Sequence, residues 1–178
     1  MRLFIAINFN DFVKEKIQNL IDKFQKFSYQ GRFVSKEHLH LTLEFLGEIP
    51  EQRVDVIKKI MDNASFKPFS LKLSNIGYFK RPQGNIYWIG LEENKNLKDL
   101  QLNIHNLLIN EGFKLEDRPF TPHITLGRQV KLKEGFDYYK YNTEIKDTVI
   151  QVNRVDLMKS ERIDGKLVYS IIYSKQVK

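Results

Sequence analysis

The 178-residue chain is 42% hydrophobic and 12% aromatic, enough apolar content to build one packed domain and too much for a disordered segment. It has no cysteine, which removes disulfides, thiol nucleophiles and thiolate metal sites together and suits a reducing cytoplasm, where the protein is expected. The net charge of +7, from 29 Lys and Arg against 22 Asp and Glu, is distributed along the chain and points toward a polyanionic partner.

The opening RLFIAIN (2–8) reads as a strand, and its apolar run is too short for a signal peptide or a membrane span, so no membrane partner is expected. Residues 10–27 place Phe12, Ile17, Leu20, Ile21, Phe24 and Phe27 near helical spacing, with Asn10 or Asp11 available as the cap. A strand at 39–46 and a helix at 51–63, entered through Pro50, repeat that order. The alternating segments 69–79 and 85–91, separated by Arg81-Pro82-Gln83-Gly84, predict a hairpin. A third helix at 95–110 ends at Gly112. A strand at 122–128 and two more at 148–158 and 166–173 follow, the last two joined through the turn pair Asp164-Gly165. No low-complexity linker interrupts residues 1–178, which therefore read as one domain. Strands interleaved with helices and hairpins predict an α+β fold with largely antiparallel sheets flanked by helices. No Gly-rich loop follows the first strand, which argues against a dinucleotide fold.

Two short stretches stand out. His40-Leu41-Thr42-Leu43 has a counterpart in His123-Ile124-Thr125-Leu126, and these contain two of the chain's four histidines. On a strand, alternation sends each His and its Thr to one face and the aliphatic pair to the other. Each strand can thus anchor in a core while presenting an imidazole beside a hydroxyl. Imidazole titrates near about pH 6.5, so one histidine can accept a proton while the other donates one. The threonines can donate hydroxyls to non-bridging phosphate oxygens. The pair therefore fits hydrolysis of a phosphodiester or a cyclic phosphate.

These motifs, in HLHLTLEFLGE and RPFTPHITLGR, together with RLFIAI at the start and LMKSERIDGKLVYSIIYS near the end, resemble the two-histidine phosphoesterase superfamily. Within it the chain is similar to the RNA 2′,3′-cyclic phosphodiesterases, also called the 2′-5′ RNA ligase family. The resemblance implies a bilobal, pseudo-two-fold fold with the active site in the central cleft. It also implies metal-independent, cofactor-free opening of an RNA 2′,3′-cyclic phosphate to a 2′-phosphate by a monomer. His40 would be the proton donor and His123 the proton acceptor, although the symmetry of the motifs leaves the reverse order open. Thr42, Thr125 and Arg128 would bind the phosphate, and RNA with a cyclic end or a cyclic nucleotide would be the partner. Two rivals remain: a nucleotide- or RNA-binding module that keeps the fold without turnover, and 2′-5′ end joining as the reverse reaction.

Other residues are less eloquent. His38 shares the face of His40 by strand parity but lies outside the motif, and His105 reads as a structural residue of the third helix. Arg128 matches a phosphate-binding arginine of the family, yet simple alternation puts it opposite His123 unless Gly127 supplies a bulge. Arg118 and Phe120, stiffened by Pro119 and Pro122, read as support for the approach to the second motif. Phe4, Tyr78, Tyr87 and Trp88 are all candidates to stack on a base, with nothing in the sequence to choose among them. A zinc site needs three or four ligands, and no carboxylate or cysteine cluster accompanies either histidine.

Overall fold

The computed structural model describes residues 1–177. Among the described residues nine strands form two antiparallel sheets. The first has β3 (His40–Glu48), β1 (Arg2–Asn8), β8 (Arg154–Ile163) and β9 (Lys166–Gln176), in that spatial order. The second has β2 (Ser28–Phe33), β6 (His123–Leu132), β5 (Asn85–Leu91), β4 (Phe69–Phe79) and β7 (Val149–Val152). The helices are α1 (Asp11–Lys26), α2 (Val54–Asn63), α3 (Lys95–Asn110) and α4 (Tyr138–Ile145), and a 3-10 turn at Lys36–His38 leads into β3.

The long helices start and stop where local chemistry dictates. Asn10 accepts a hydrogen bond from the Val13 amide at 2.9 Å, and Asn94 accepts one from Leu97 at 3.0 Å, each satisfying an amide left free in a first turn. At the end of α3, Gly112 has φ +75°, its amide donates to Ile109 and the Phe113 amide donates to Leu108, a Schellman closure. Phe113 and Leu108 are both buried in the core.

The two sheets repeat one plan. β1 leads through α1, and then β2 of the other sheet, to its neighbour β3, and β5 leads through α3 to its neighbour β6, each pair antiparallel and each ending in a His-x-Thr strand. The helices nevertheless pack across the pair: α1 lies against β2, β6 and α4, whereas α3 lies against α2 and β3. Each half thus covers the other's sheet, and one apolar core runs through both.

The structure differs from the sequence reading in four places. The predicted strand 148–158 is two strands: β7 ends at Val152 on the edge of the second sheet, and after Asn153 the chain enters the first sheet as β8. The predicted helix 51–63 opens with a 3-10 turn at Glu51–Arg53 before α2. β2 and α4 carry no clear hydrophobic period: SYQGRF is a mostly exposed edge strand, and YYKYNTEI buries only Tyr141 and Ile145. The turn between β8 and β9 forms at Asp164 and Gly165 as expected, both with positive φ.

Candidate active site

The strands β3 and β6, from different sheets, approach each other with Cα separations within 8 Å. Leu41 and Leu43 of the first, and Ile124 and Leu126 of the second, are buried in the core. His40, Thr42, His123 and Thr125 alternate with these core residues and so lie on the opposite faces, partly buried, with His123 near enough to act on the charge of His40; the space these faces border is the candidate cleft.

The two imidazoles are anchored alike. His40 Nδ1 lies 2.6 Å from the carbonyl oxygen of His38, and His123 Nδ1 lies 2.7 Å from that of Thr121. A carbonyl only accepts, so Nδ1–H donates in both and Nε2 is the atom that faces the cleft. Thr42 Oγ1 lies 3.1 Å from His40 Nε2. Burial depresses the basicity of both rings. His40 is pushed down to about 4, by desolvation first and then by the neighbouring charges of His38, Lys14 and His123, against an opposing hydrogen bond to the His38 carbonyl. His123 is lowered too, by desolvation and by the cations Arg128 and Arg118.

Aromatic rings wall each imidazole. Phe4 and Tyr169 lie 4.9 and 5.5 Å from the His40 ring, centroid to centroid, and Phe79 and Trp88 lie 5.3 and 6.3 Å from that of His123. Trp88 can occupy this position because its register partner is Gly77, where a Cβ would come within 2.3 Å of the indole. Of the four aromatic candidates, Phe4 and Trp88 border the cleft. Tyr87 is buried and its hydroxyl is tied to that of Tyr138, and Tyr78 is half exposed beside it. Tyr169, on β9, is a cleft residue that sequence reasoning did not single out. Burial raises its hydroxyl pKa, so it remains a neutral donor.

Arg128 joins the two histidines on the cleft side. The register runs from Trp88↔Thr125 to Tyr87↔Gly127, leaving Leu126 as an extra residue in β6. Leu126 and Gly127 are both buried, and alternation restarts with Arg128 exposed on the face of His123 and Thr125. A Cβ on Gly127 would crowd Phe33 and Val130 at 3.0 Å, so the bulge brings backbone close to the core. β3 makes the same move: Ile5 pairs with Glu44 and Ala6 with Thr42, leaving Leu43 extra. Each His-x-Thr-Leu is thus followed by a phase shift, which brings Phe45 and Arg128 to equivalent positions. The second half carries a guanidinium at that position, and the first half an aromatic ring with the Arg2 guanidinium 5.1 Å over it.

His38 does not share a strand face with His40, because the strand begins at His40 and His38 closes the preceding 3-10 turn. Its ring packs 4.7 Å from Tyr169, and its carbonyl holds His40. His105 is structural: it lies on α3 with Nδ1 2.8 Å from the buried carboxylate of Glu44, tying that helix to β3. Arg118 pairs with Glu116, and Phe120 packs against the core, both in the segment leading into β6.

Two His-x-Thr strands from the repeated halves of an antiparallel α+β fold, each offering an Nδ1-anchored imidazole to a shared cleft, define a two-histidine phosphoesterase architecture. The chain belongs to the 2′-5′ RNA ligase superfamily, whose family model matches residues 13–164. It is 32% identical to the RNA 2′,3′-cyclic phosphodiesterase of Thermotoga maritima, over 99% of this chain and 95% of that protein. It is 35% identical to the protein of the same name from Methanocaldococcus jannaschii, over 97% and 98% of the two chains. The fold superposes on the crystal structure of E. coli LigT complexed with 3′-AMP with a TM-score of 0.83 at 25% identity, covering 99% of this chain and 97% of that one.

Proposed function

We propose that this protein hydrolyses the 2′,3′-cyclic phosphate at an RNA end to a 2′-phosphate, without a metal ion. The observation that carries the reading is the pair of matched imidazoles, each with Nδ1 committed to a backbone carbonyl and Nε2 free to exchange a proton in one cleft. Full-length similarity to proteins named RNA 2′,3′-cyclic phosphodiesterase supports the substrate class. E. coli LigT, the structural relative, is described in complex with a nucleotide bearing a 3′-phosphate.

In this mechanism His123 Nε2 removes a proton from water, the resulting oxygen attacks phosphorus, and the bond from phosphorus to the 3′ oxygen breaks. His40 Nε2 delivers a proton to the departing 3′ oxygen, leaving a 3′-hydroxyl and a 2′-phosphate. Thr42 and Thr125 donate to the non-bridging oxygens, and Arg128 carries their negative charge. Both motifs lie in one chain, so a monomer suffices. Two imidazoles supply fewer ligands than a zinc site requires, and among the described residues no cluster of three His, Asp or Glu could hold an ion. With a 5′-hydroxyl in place of water as the nucleophile, the same groups would open the cyclic phosphate into a 2′-5′ linkage and release the 3′-hydroxyl, which is the joining named in the family's description.

The depressed basicity of both rings gives this scheme a pH signature. In the free enzyme burial favours the neutral form of both imidazoles, most strongly at His40. A bound cyclic phosphate is an anion and favours imidazolium, so the donor acquires its proton with the substrate. Protonation of His40 Nε2 also ends its acceptance of the Thr42 hydroxyl, freeing that hydroxyl for phosphate. The expected kcat/KM profile, which reports the free enzyme, is a bell centred below about pH 6.5, its limbs belonging to the coupled pair. The kcat profile should be displaced to higher pH. A kcat/KM that climbs steadily to alkaline pH with no basic limb would rule out a protonated imidazole donor.

A further inference from the structure

We propose that a second phosphate-binding pocket, built by Arg32, Arg81 and Arg128 beside the catalytic cleft, holds the RNA strand upstream of its cyclic end. This rests on the cyclic-phosphodiesterase reading for the cleft itself. The pocket has a volume of about 330 Å³, and its lining also includes Gln83, Ile86 and Gln129.

Three observations place it on the path of a strand leaving the histidines. Arg32 is the register partner of Arg128, while its neighbour Phe33 pairs with Gly127 and packs on the core, so Arg32 faces the cleft side. On β5, Ile86 shares a face with Trp88, which flanks His123. Arg128 is close enough to His123 to lower its basicity, and so belongs to both sites. From Thr125 to Arg128 the strand advances on the order of 10 Å, less what the bulge removes.

The pocket is also structured in advance. The Gln30 side chain donates to the Gln83 and Gln129 carbonyls at 3.0 and 3.1 Å, and Gln129 donates to the Gln83 side chain at 2.9 Å, fixing the β4–β5 turn against β6. Gly84 has φ +121° and lies so close to Gln129 that a Cβ would come within 2.6 Å of its backbone. Gln129 itself has φ +55°, marking a second bulge in β6 just past Arg128. Arg118 and Arg154 are paired with carboxylates. Among the described residues Arg32, Arg81 and Arg128 have no such partner, and Arg81 donates only to the Lys80 carbonyl. Unpaired guanidiniums converging on a fixed concavity call for phosphate, and the overall charge of +7 favours a polyanionic strand.

The test compares wild type with the double variant Arg32→Gln/Arg81→Gln on a 2′,3′-cyclic mononucleotide and on an oligoribonucleotide with a cyclic end, across a salt series. The variant should hydrolyse the mononucleotide within twofold of wild type. Its kcat/KM on the oligonucleotide should fall about tenfold or more, through KM, and the salt slope should shrink by about 1.4 for two lost phosphate contacts on a single strand. Equal losses on both substrates, or none on the oligonucleotide, would overturn the inference. ATP as a competitor of mononucleotide hydrolysis separates the two phosphate sources: its inhibition constant should be unchanged, and a tenfold weakening would assign the pocket to free nucleotides instead. Fluorescence anisotropy of a labelled oligoribonucleotide ending in a 2′-phosphate reads the pocket without turnover. Weakened binding in the variant supports it even if wild type cleaves neither cyclic substrate, and unchanged binding contradicts it.

Discussion

Replacement of His40 or His123 by alanine should each lower kcat/KM on a 2′,3′-cyclic phosphate by at least about 10²-fold while the protein remains folded. The two losses should not multiply, because donor and acceptor serve one displacement and neither imidazole is useful without the other. Folding should survive, since both rings lie on the cleft faces of their strands while Leu41, Leu43, Ile124 and Leu126 carry the core contacts. At His40 the substitution even removes a group whose burial opposes its charged form. Circular dichroism and thermal denaturation establish the fold, and turnover of the cyclic mononucleotide establishes the chemistry. Wild-type rates in either folded variant would remove the two-imidazole mechanism.

The next largest effect is expected at Arg128, where lysine should already be harmful. A guanidinium can give two parallel hydrogen bonds to phosphate oxygens, and an ammonium cannot reproduce that fork. Loss of one hydrogen bond to a charged group costs about 1.5–3 kcal/mol, so kcat/KM should fall about tenfold or more. The loss should appear with the cyclic mononucleotide as well as with RNA, in contrast to the behaviour expected of Arg32 and Arg81. A rate within about twofold of wild type on the mononucleotide would take Arg128 out of the reacting site.

The two histidine motifs could be read directly because strand alternation is local: His40-Leu41-Thr42-Leu43 states its own two faces. The helices α1 and α3 were equally legible, from apolar spacing and from Asn10 and Gly112 at their ends. Arg128 marks where local reasoning stops. Gly127 offered a bulge as the condition for Arg128 to face the cleft, but whether alternation breaks after Thr125 is decided by the pairing with β5, which local spacing does not encode. The twin shift after Leu43 was invisible for the same reason. Tyr169 reaches His40 only because β9 pairs with β8 and β8 with β1, a chain of long-range contacts that no periodicity encodes. Gly77 could have hinted at Trp88, since a glycine inside an alternating strand marks close approach by a neighbour. The switch of sheets at Asn153 and the packing of α1 and α3 across the halves are likewise tertiary outcomes.

The measurement closest to the central claim is product analysis on an oligoribonucleotide carrying a 2′,3′-cyclic phosphate, incubated with the protein in excess EDTA. The account predicts undiminished conversion to a 2′-phosphate with a free 3′-hydroxyl. An intact cyclic end, a 3′-phosphate product, or activity that vanishes with EDTA and returns only with a divalent metal would contradict it.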